Sequence, residues 1–235
     1  MQKQLHINKR EILSRHFLFR QLMPTEIDHI LALAVERHFQ NGQSLFIKGD
    51  EGSSMMIVIE GKVIISATSE DGKEITLNYI GPGGILGEIA LLDGKCRSAN
   101  ATAVGACTVI YIHRSEFIPF LRLNSDVAIQ LLMVLCEKLR NTSDMLENVG
   151  LLSVPARLAK LIVKLATSNN APISPGCTLR LNLSQQKMGN LIGASRETVN
   201  RTLAQWQMDG LICLQQQQLT LIKPKELIWL SETVL

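Results

Sequence analysis

Three polar residues within one short stretch carry chemistry. In GEIALLDGKCRSA (87–99) the carboxylate of Glu88 precedes, across a glycine-marked turn, the adjacent pair Arg97 and Ser98. A carboxylate accepts hydrogen bonds from hydroxyls, a guanidinium forks an oxyanion, and a serine hydroxyl adds a neutral donor. Together they suit a small ligand that bears both sugar hydroxyls and a phosphate. Gly87 lets the backbone approach such a ligand closely, and Gly81-Pro82-Gly83-Gly84 opens the segment. Taken alone, an arginine and a glutamate at this separation are as readily a surface ion pair.

A second set lies near the C-terminus, in LSQQKMGNLIGASRETVNRTLAQW (183–206). Ser184 can cap one helix, Gly193 can form a turn, and Ser195 can cap a second helix. Gly189 would let the two helices approach closely, with Leu191, Ile192, Val199 and Leu203 between them. On the second helix, Arg196, Glu197, Asn200 and Arg201 fall within an arc of about 140°. Arginine can bond guanine O6 and N7 together, and glutamate can accept from a cytosine amino group. The plain alternative is a solvated face carrying a Glu197–Arg201 ion pair. Charge favours the first reading. Residues 155–235 hold nine Lys/Arg against four Asp/Glu, while the rest of the chain is close to neutral. A basic C-terminal third points to an anionic partner, nucleic acid foremost.

Several elements must position these groups. Pro24-Thr25-Glu26 starts a helix carrying Ile27, Ile30, Leu31 and Ala34 at helical spacing, after an amphipathic lead-in over 1–22. From about 39 to 113, short β-prone runs alternate with glycines. MMIVIEGKVIISAT and KEITLNYI flank Asp71-Gly72, a hairpin signal. This predicts a β-roll or jelly roll. A long helix is expected from Ser125 to about Leu152, ended by Gly150. Within it Leu132, Leu135, Leu139, Thr142, Leu146 and Val149 alternate steps of three and four, a heptad seam suited to pairing with a second copy. ARLAKLIVKLA (156–166) reads as an amphipathic helix. GLICLQQQQLTLI (210–222) reads as a two-stranded wing with a Gln-rich tip. The predicted architecture is α+β: a β-roll with an N-terminal helix over 1–124, a dimerisation helix over 125–152, and a winged helix-turn-helix over 153–235.

The 235 residues suffice for two modest domains, and 46% hydrophobic with 19% charged residues describes an ordinary globular chain. No run of eighteen apolar residues occurs, so no membrane span is expected. The N-terminus lacks an apolar signal region, and the five scattered cysteines fit a reducing compartment, so a cytoplasmic location is expected. The histidines show no metal-ligand spacing, and no catalytic constellation is evident.

GEIALLDGKCRSA resembles the phosphate-binding cassette of cyclic-nucleotide-binding domains, and the chain is similar to the cyclic-AMP receptor branch of the Crp/Fnr regulators. The resemblance implies that Glu88 holds a ribose hydroxyl and that Arg97 and Ser98 hold a cyclic phosphate, with Gly87 and Ile89 part of the same pocket. NTSDML resembles the stretch in which threonine and serine of the dimer helix contact adenine, which puts Thr142 and Ser143 in the ligand site and makes cyclic AMP the expected effector. Lys138 departs from the family's arginine near the ribose; it keeps the charge and loses the planar fork. SRETVNR resembles the recognition helix that reads TGTGA half-sites, which places Ser195, Arg196, Glu197, Asn200 and Arg201 on double-stranded DNA. Asn200 and Thr202 replace the usual glycine and isoleucine, and Thr202 is expected to loosen packing slightly. The implied protein is a homodimeric, ligand-gated transcription regulator that also contacts RNA polymerase. Rival readings keep DNA binding with cyclic GMP, cyclic di-GMP or no ligand, or make the chain a regulatory subunit of an enzyme. Oxidation of Cys96, beside Arg97, is a further variant.

Overall fold

A computed structural model describes residues 9–15, 19, 22–167, 173–181, 183–215 and 218–233. They form two compact units, Met1–Leu139 and Arg140–Leu235.

The first unit runs α1 (Lys9–Arg15), α2 (Pro24–Leu33), β1 (Val35–Phe39), β2 (Ser44–Phe46), β3 (Ser54–Thr68), β4 (Glu74–Ile80), β5 (Ile85–Leu86), α3 (Glu88–Asp93), β6 (Asn100–His113), α4 (Arg114–Leu123) and the start of α5 (Ser125–Leu151). All strand pairings are antiparallel, and the sheet follows the order β1-β6-β3-β4, with β2 on β6 and β5 on β3. Its spine is the long pair β3 and β6, in register at Met55↔Ile112, Met56↔Tyr111 and Ile57↔Ile110.

Six successive residues of β3, Ser54 to Ile59, are buried, because both faces of the strand are covered. Met55, Ile57 and Ile59 enter one core with Leu13, Ile27, Ile30, Phe117, Phe120, Val127 and Leu131 of the helices. Met56 and Val58 point the other way, into a second core with Val63, Ile80, Ala101, Val109 and Tyr111. Each such side chain contributes about 1.5–3 kcal/mol on burial.

Gly61 lies inside β3 at φ 82°, where a Cβ would sit 2.3 Å from the Ala106 carbonyl oxygen. The register with β6 slips on either side of Glu60, so the strand passes the glycine as a bulge. Asp71-Gly72 does form the β3–β4 turn. In α2, the start is fixed by Glu26, whose carboxylate accepts from the Met23 backbone N–H at 2.7 Å. Ala34, expected in that helix, is its extended C-terminal flank.

On α5, Val127 and Leu131 are buried in the first unit's core. Beyond them the apolar seam faces outward: Leu132, Leu139 and Leu146 are 60%, 67% and 73% exposed. Gly150 does not end the helix. It is accommodated within the last turn, and the helix runs on to Leu151.

The second unit continues through α6 (Val154–Thr167), β7 (Thr178–Arg180), α7 (Gln185–Ile192), α8 (Arg196–Met208), β8 (Ile212–Gln215), β9 (Gln218–Leu221) and α9 (Pro224–Glu232). Leu158, Ala159, Ile162 and Ala166 place α6 in a core with Met188, Val199, Leu203, Trp206, Leu219 and Leu227. The wing has a third strand that the expected hairpin lacked: the sheet order is β7-β9-β8, with Leu179 opposite Leu219. Two of the wing's tip glutamines, 216 and 217, lie outside the described residues. No single helix among the described residues is long and apolar enough to cross a membrane.

Candidate functional site

Backbone geometry builds the first site. Gly87 adopts φ 78°, a left-handed turn that favours glycine, and a Cβ there would stand 2.4 Å from Arg97 Nη1 and press on the guanidinium. The turn launches α3, which ends at Gly94 in the same conformation. Gly52 packs flat against this helix, its Cβ position only 2.2 Å from that of Ala90. Arg114 fastens the other end, donating Nη1 to the Leu91 and Leu92 carbonyls.

Arg97 is 5% exposed. Its backbone is held in both directions, by Arg97 N–H to the Asp50 carbonyl at 2.8 Å and Gly49 N–H to the Arg97 carbonyl at 2.9 Å. Its Nη1 donates to the Gly87 carbonyl at 3.0 Å and its Nη2 to Ser54 Oγ at 3.1 Å. The guanidinium carbon stands 4.5 Å over the centre of the Phe46 ring. Arg97 Nε is buried with no partner. Burial pulls the pKa of this group down, while Tyr111, Asp50 and Glu88 act in the opposite sense. Tyr111 is itself pushed up by burial, against the pull of Arg37 and Arg97, and Arg37 lies over its ring at 4.9 Å.

Glu88 is 2% exposed, which is unusual for a carboxylate without a partner. The partner is Lys138 on α5, whose Nζ stands 2.8 Å from Glu88 Oε1 and donates to the Ile85 carbonyl at 3.0 Å. The departure noted in the sequence thus sits directly on the carboxylate. Gly87, Glu88 and Arg97 are brought together. Ser98, Ile89 and Cys96 are exposed beside them. Thr142 and Ser143 lie exposed on α5, within the second unit.

The second site is a helix pair held by short backbone contacts. Ser184 Oγ accepts from Lys187 N–H at 3.2 Å and caps α7; Ser195 Oγ accepts from Thr198 N–H at 3.2 Å and caps α8. Gly193 turns the chain between them at φ 65°. A Cβ on Gly189 would stand 2.5 Å from the Ala194 carbonyl oxygen, so glycine is what allows the approach. Val199, Leu203 and Trp206 turn inward, while Arg196, Glu197, Asn200 and Arg201 are all exposed. No ion pair joins Glu197 and Arg201 among the described residues. Instead, Glu197's own backbone N–H and the Ser195 hydroxyl hold its carboxyl below the usual glutamate range. Gln185 Nε2 reaches Asn200 Oδ1 at 3.4 Å. Thr202 is 8% exposed, and its hydroxyl donates to the Thr198 carbonyl at 2.9 Å.

Sequence reading missed the supports. Ser54 and Phe46 under Arg97 are separated from it by more than forty residues, and only the sheet brings them in. Arg157 on α6 donates Nη1 to the Ile192 carbonyl at 2.6 Å, tying the end of α7 just before the turn. Arg157 shares the charged face of α6 with Lys160 and Lys164, so its type and spacing gave no signal for this role. Among the described residues, no group of three or more His, Cys, Asp or Glu is placed to hold a metal ion.

Comparison with known proteins agrees with this geometry. Residues 36–124 match the cyclic nucleotide-binding domain, and residues 156–228 match the Crp-like helix-turn-helix domain. The chain is 31% identical over 205 residues to the CRP-like cAMP-activated global transcriptional regulator of Mycobacterium tuberculosis, covering 87% of this chain and 92% of the relative. It is 29% identical over 175 residues to the cAMP-activated global transcriptional regulator CRP of Salmonella typhimurium, covering 74% and 83% respectively. The solved structure of CLP, the c-di-GMP responsive global regulator of Xanthomonas campestris, superposes with a TM-score of 0.71 at 25% identity, covering 85% of this chain and 99% of that one. The buried cassette, the capped helix pair and these matches lead to one conclusion: the chain belongs to the Crp/Fnr family of DNA-binding transcription regulators and carries a cyclic nucleotide-binding domain.

Proposed function

We propose that this protein is a homodimer whose binding to palindromic, TGTGA-like DNA is gated by cyclic AMP. The observation that carries the reading is Arg97. A buried guanidinium is fixed by two acceptors and an aromatic face while its Nε has a donor to spare, which suits an anion receptor. Arg97 and Ser98 hold the cyclic phosphate, with Gly87 and Ile89 lining the same turn. Glu88 takes the ribose hydroxyl through Oε2, or through Oε1 once Lys138 yields it. Thr142 and Ser143 recognise adenine. The names of the Mycobacterium and Salmonella relatives support cyclic AMP.

The exposed seam Leu132, Leu139 and Leu146 supports pairing along α5, since side chains of this size gain by being covered. Arg196, Glu197, Asn200 and Arg201, with Ser195 at the helix start, meet base edges and phosphates in successive major grooves. Ligand binding shifts the dimer toward its DNA-competent state, a coupling typically of about 1–3 kcal/mol. RNA polymerase is the protein partner and the cytoplasm the compartment that this reading implies.

A second reading, cyclic di-GMP as effector, is favoured by the likeness to CLP. Calorimetric titration with cyclic AMP, cyclic GMP and cyclic di-GMP separates the two. Heat with cyclic AMP, together with a gel shift on a TGTGA palindrome that strengthens on adding it, is the expected outcome. Heat with cyclic di-GMP alone replaces the adenine assignment.

A further inference from the structure

Arg97 is the cation of the cassette, yet the residues that give it one orientation come from elsewhere in the sheet. Phe46 ends β2 and is half-buried, with the Arg97 guanidinium carbon over its ring, 4.5 Å from the centre. Ser54 begins β3, is 6% exposed, and accepts from Nη2. A guanidinium has five N–H donors in one plane and none above or below it. Here the guanidinium lies over an aromatic ring, and two of its donors are spent on Gly87 and Ser54. What is left to an incoming anion is the remaining edge, including the buried and unpartnered Nε. We propose that Phe46 is a positioning residue for the cyclic phosphate: its ring face holds the Arg97 guanidinium in place, so that the oxyanion is met by a fixed fork rather than by a swinging cation.

The inference rests on the cyclic-nucleotide reading above and adds a residue to it that the cassette motif does not contain. Three consequences separate it from plain packing. The ring acts on the phosphate, so it affects every cyclic nucleotide by the same factor and leaves base preference unchanged. It acts through its π-face, so another aromatic substitutes for it and an aliphatic of similar bulk does not. It acts on the arginine before any ligand arrives, so its loss is visible in the ligand-free protein.

The test uses the full chain as wild type, Phe46→Leu and Phe46→Tyr. Calorimetric titration with cyclic AMP and cyclic GMP is expected to give a Kd about tenfold weaker for both nucleotides in Phe46→Leu, with their ratio unchanged, and a value within about twofold of wild type in Phe46→Tyr. Nitrogen-15 NMR of the ligand-free proteins is expected to show the Arg97 Nε–H as a slowly exchanging resonance in wild type and Phe46→Tyr, and as a fast-exchanging one in Phe46→Leu. Equal affinities in wild type and Phe46→Leu overturn the proposal, as does a Phe46→Tyr variant as weak as Phe46→Leu. A loss confined to one nucleotide also overturns it, by assigning Phe46 to the base. If wild type binds neither nucleotide but the resonance behaves as described, the positioning role stands and the cyclic-nucleotide reading falls. An unchanged resonance in Phe46→Leu overturns the positioning role whatever the ligand.

Discussion

The cassette and the recognition helix both depend on arginine and treat it in opposite ways. Arg97 is removed from water and held by Gly87, Ser54 and Phe46. Arg196 and Arg201 are left in water at the start of α8. Burying a guanidinium is costly, and the cost is offset only by acceptors placed for it in advance. The return is a rigid donor fork in a medium where charge attraction is strong, which suits one small anion. A long polyanion poses a different problem. Hydrated arginines attract it over a distance and shed water and counterions on docking. Their precision comes from the backbone beneath them, through the Ser195 cap, the Gly189 contact and the Arg157 tether. Preorganisation is therefore built into the side chain at one site and into the helix pair at the other.

The largest expected break in this contrast is Arg97→Leu. Stimulation of DNA binding by cyclic AMP should vanish, while light scattering still reports the same oligomer. A gel shift that keeps its cyclic-AMP dependence would show that the buried arginine is structural only. Next comes Gly189→Val, which forces side-chain atoms against the Ala194 carbonyl. Overpacking of this kind costs about 1–3 kcal/mol, so denaturant unfolding should show a lower midpoint together with weakened DNA binding. An unshifted midpoint would mean the helix pair does not need the contact. Arg196→Ala should cost about 1–3 kcal/mol on the preferred site and relax preference at one base pair, measured by binding to a set of single-base variants. A uniform loss over all sequences would make it a phosphate contact.

The smallest effect concerns pH. The Glu197 carboxyl titrates below the usual glutamate range, because its own backbone N–H and the Ser195 hydroxyl bond its charged form. Its folded pKa is lower than its unfolded one, so the stabilisation is complete above the unfolded pKa and is lost as pH falls through the folded value. Carbon-13 NMR titration of this carboxyl should give a midpoint that rises in Ser195→Ala. An equal midpoint in both proteins would remove the hydroxyl from the account.

Local physics was legible directly. The serine caps, the turn glycines Gly72 and Gly193, and the apolar faces of α5 and α6 follow from residue type and spacing, because each interaction spans only a few residues. The same locality explains the errors. Ala34 fits the helical spacing of α2, yet its backbone is already extended. Gly150 reads as a helix end, although a glycine inside a helix costs only about 1 kcal/mol and can be carried by its neighbours.

Sequence alone determined the order of the elements, the family resemblance, and the identity of the charged groups, Glu88, Arg97, Arg196, Glu197 and Arg201. Only the tertiary structure decided their state. It buried Glu88 against Lys138, set Arg97 over Phe46, and left Arg196, Glu197 and Arg201 in water. The reason is physical: a residue's type fixes which bonds it can make, but burial and partners depend on strands and helices far apart in the chain, and those set what each charge can do.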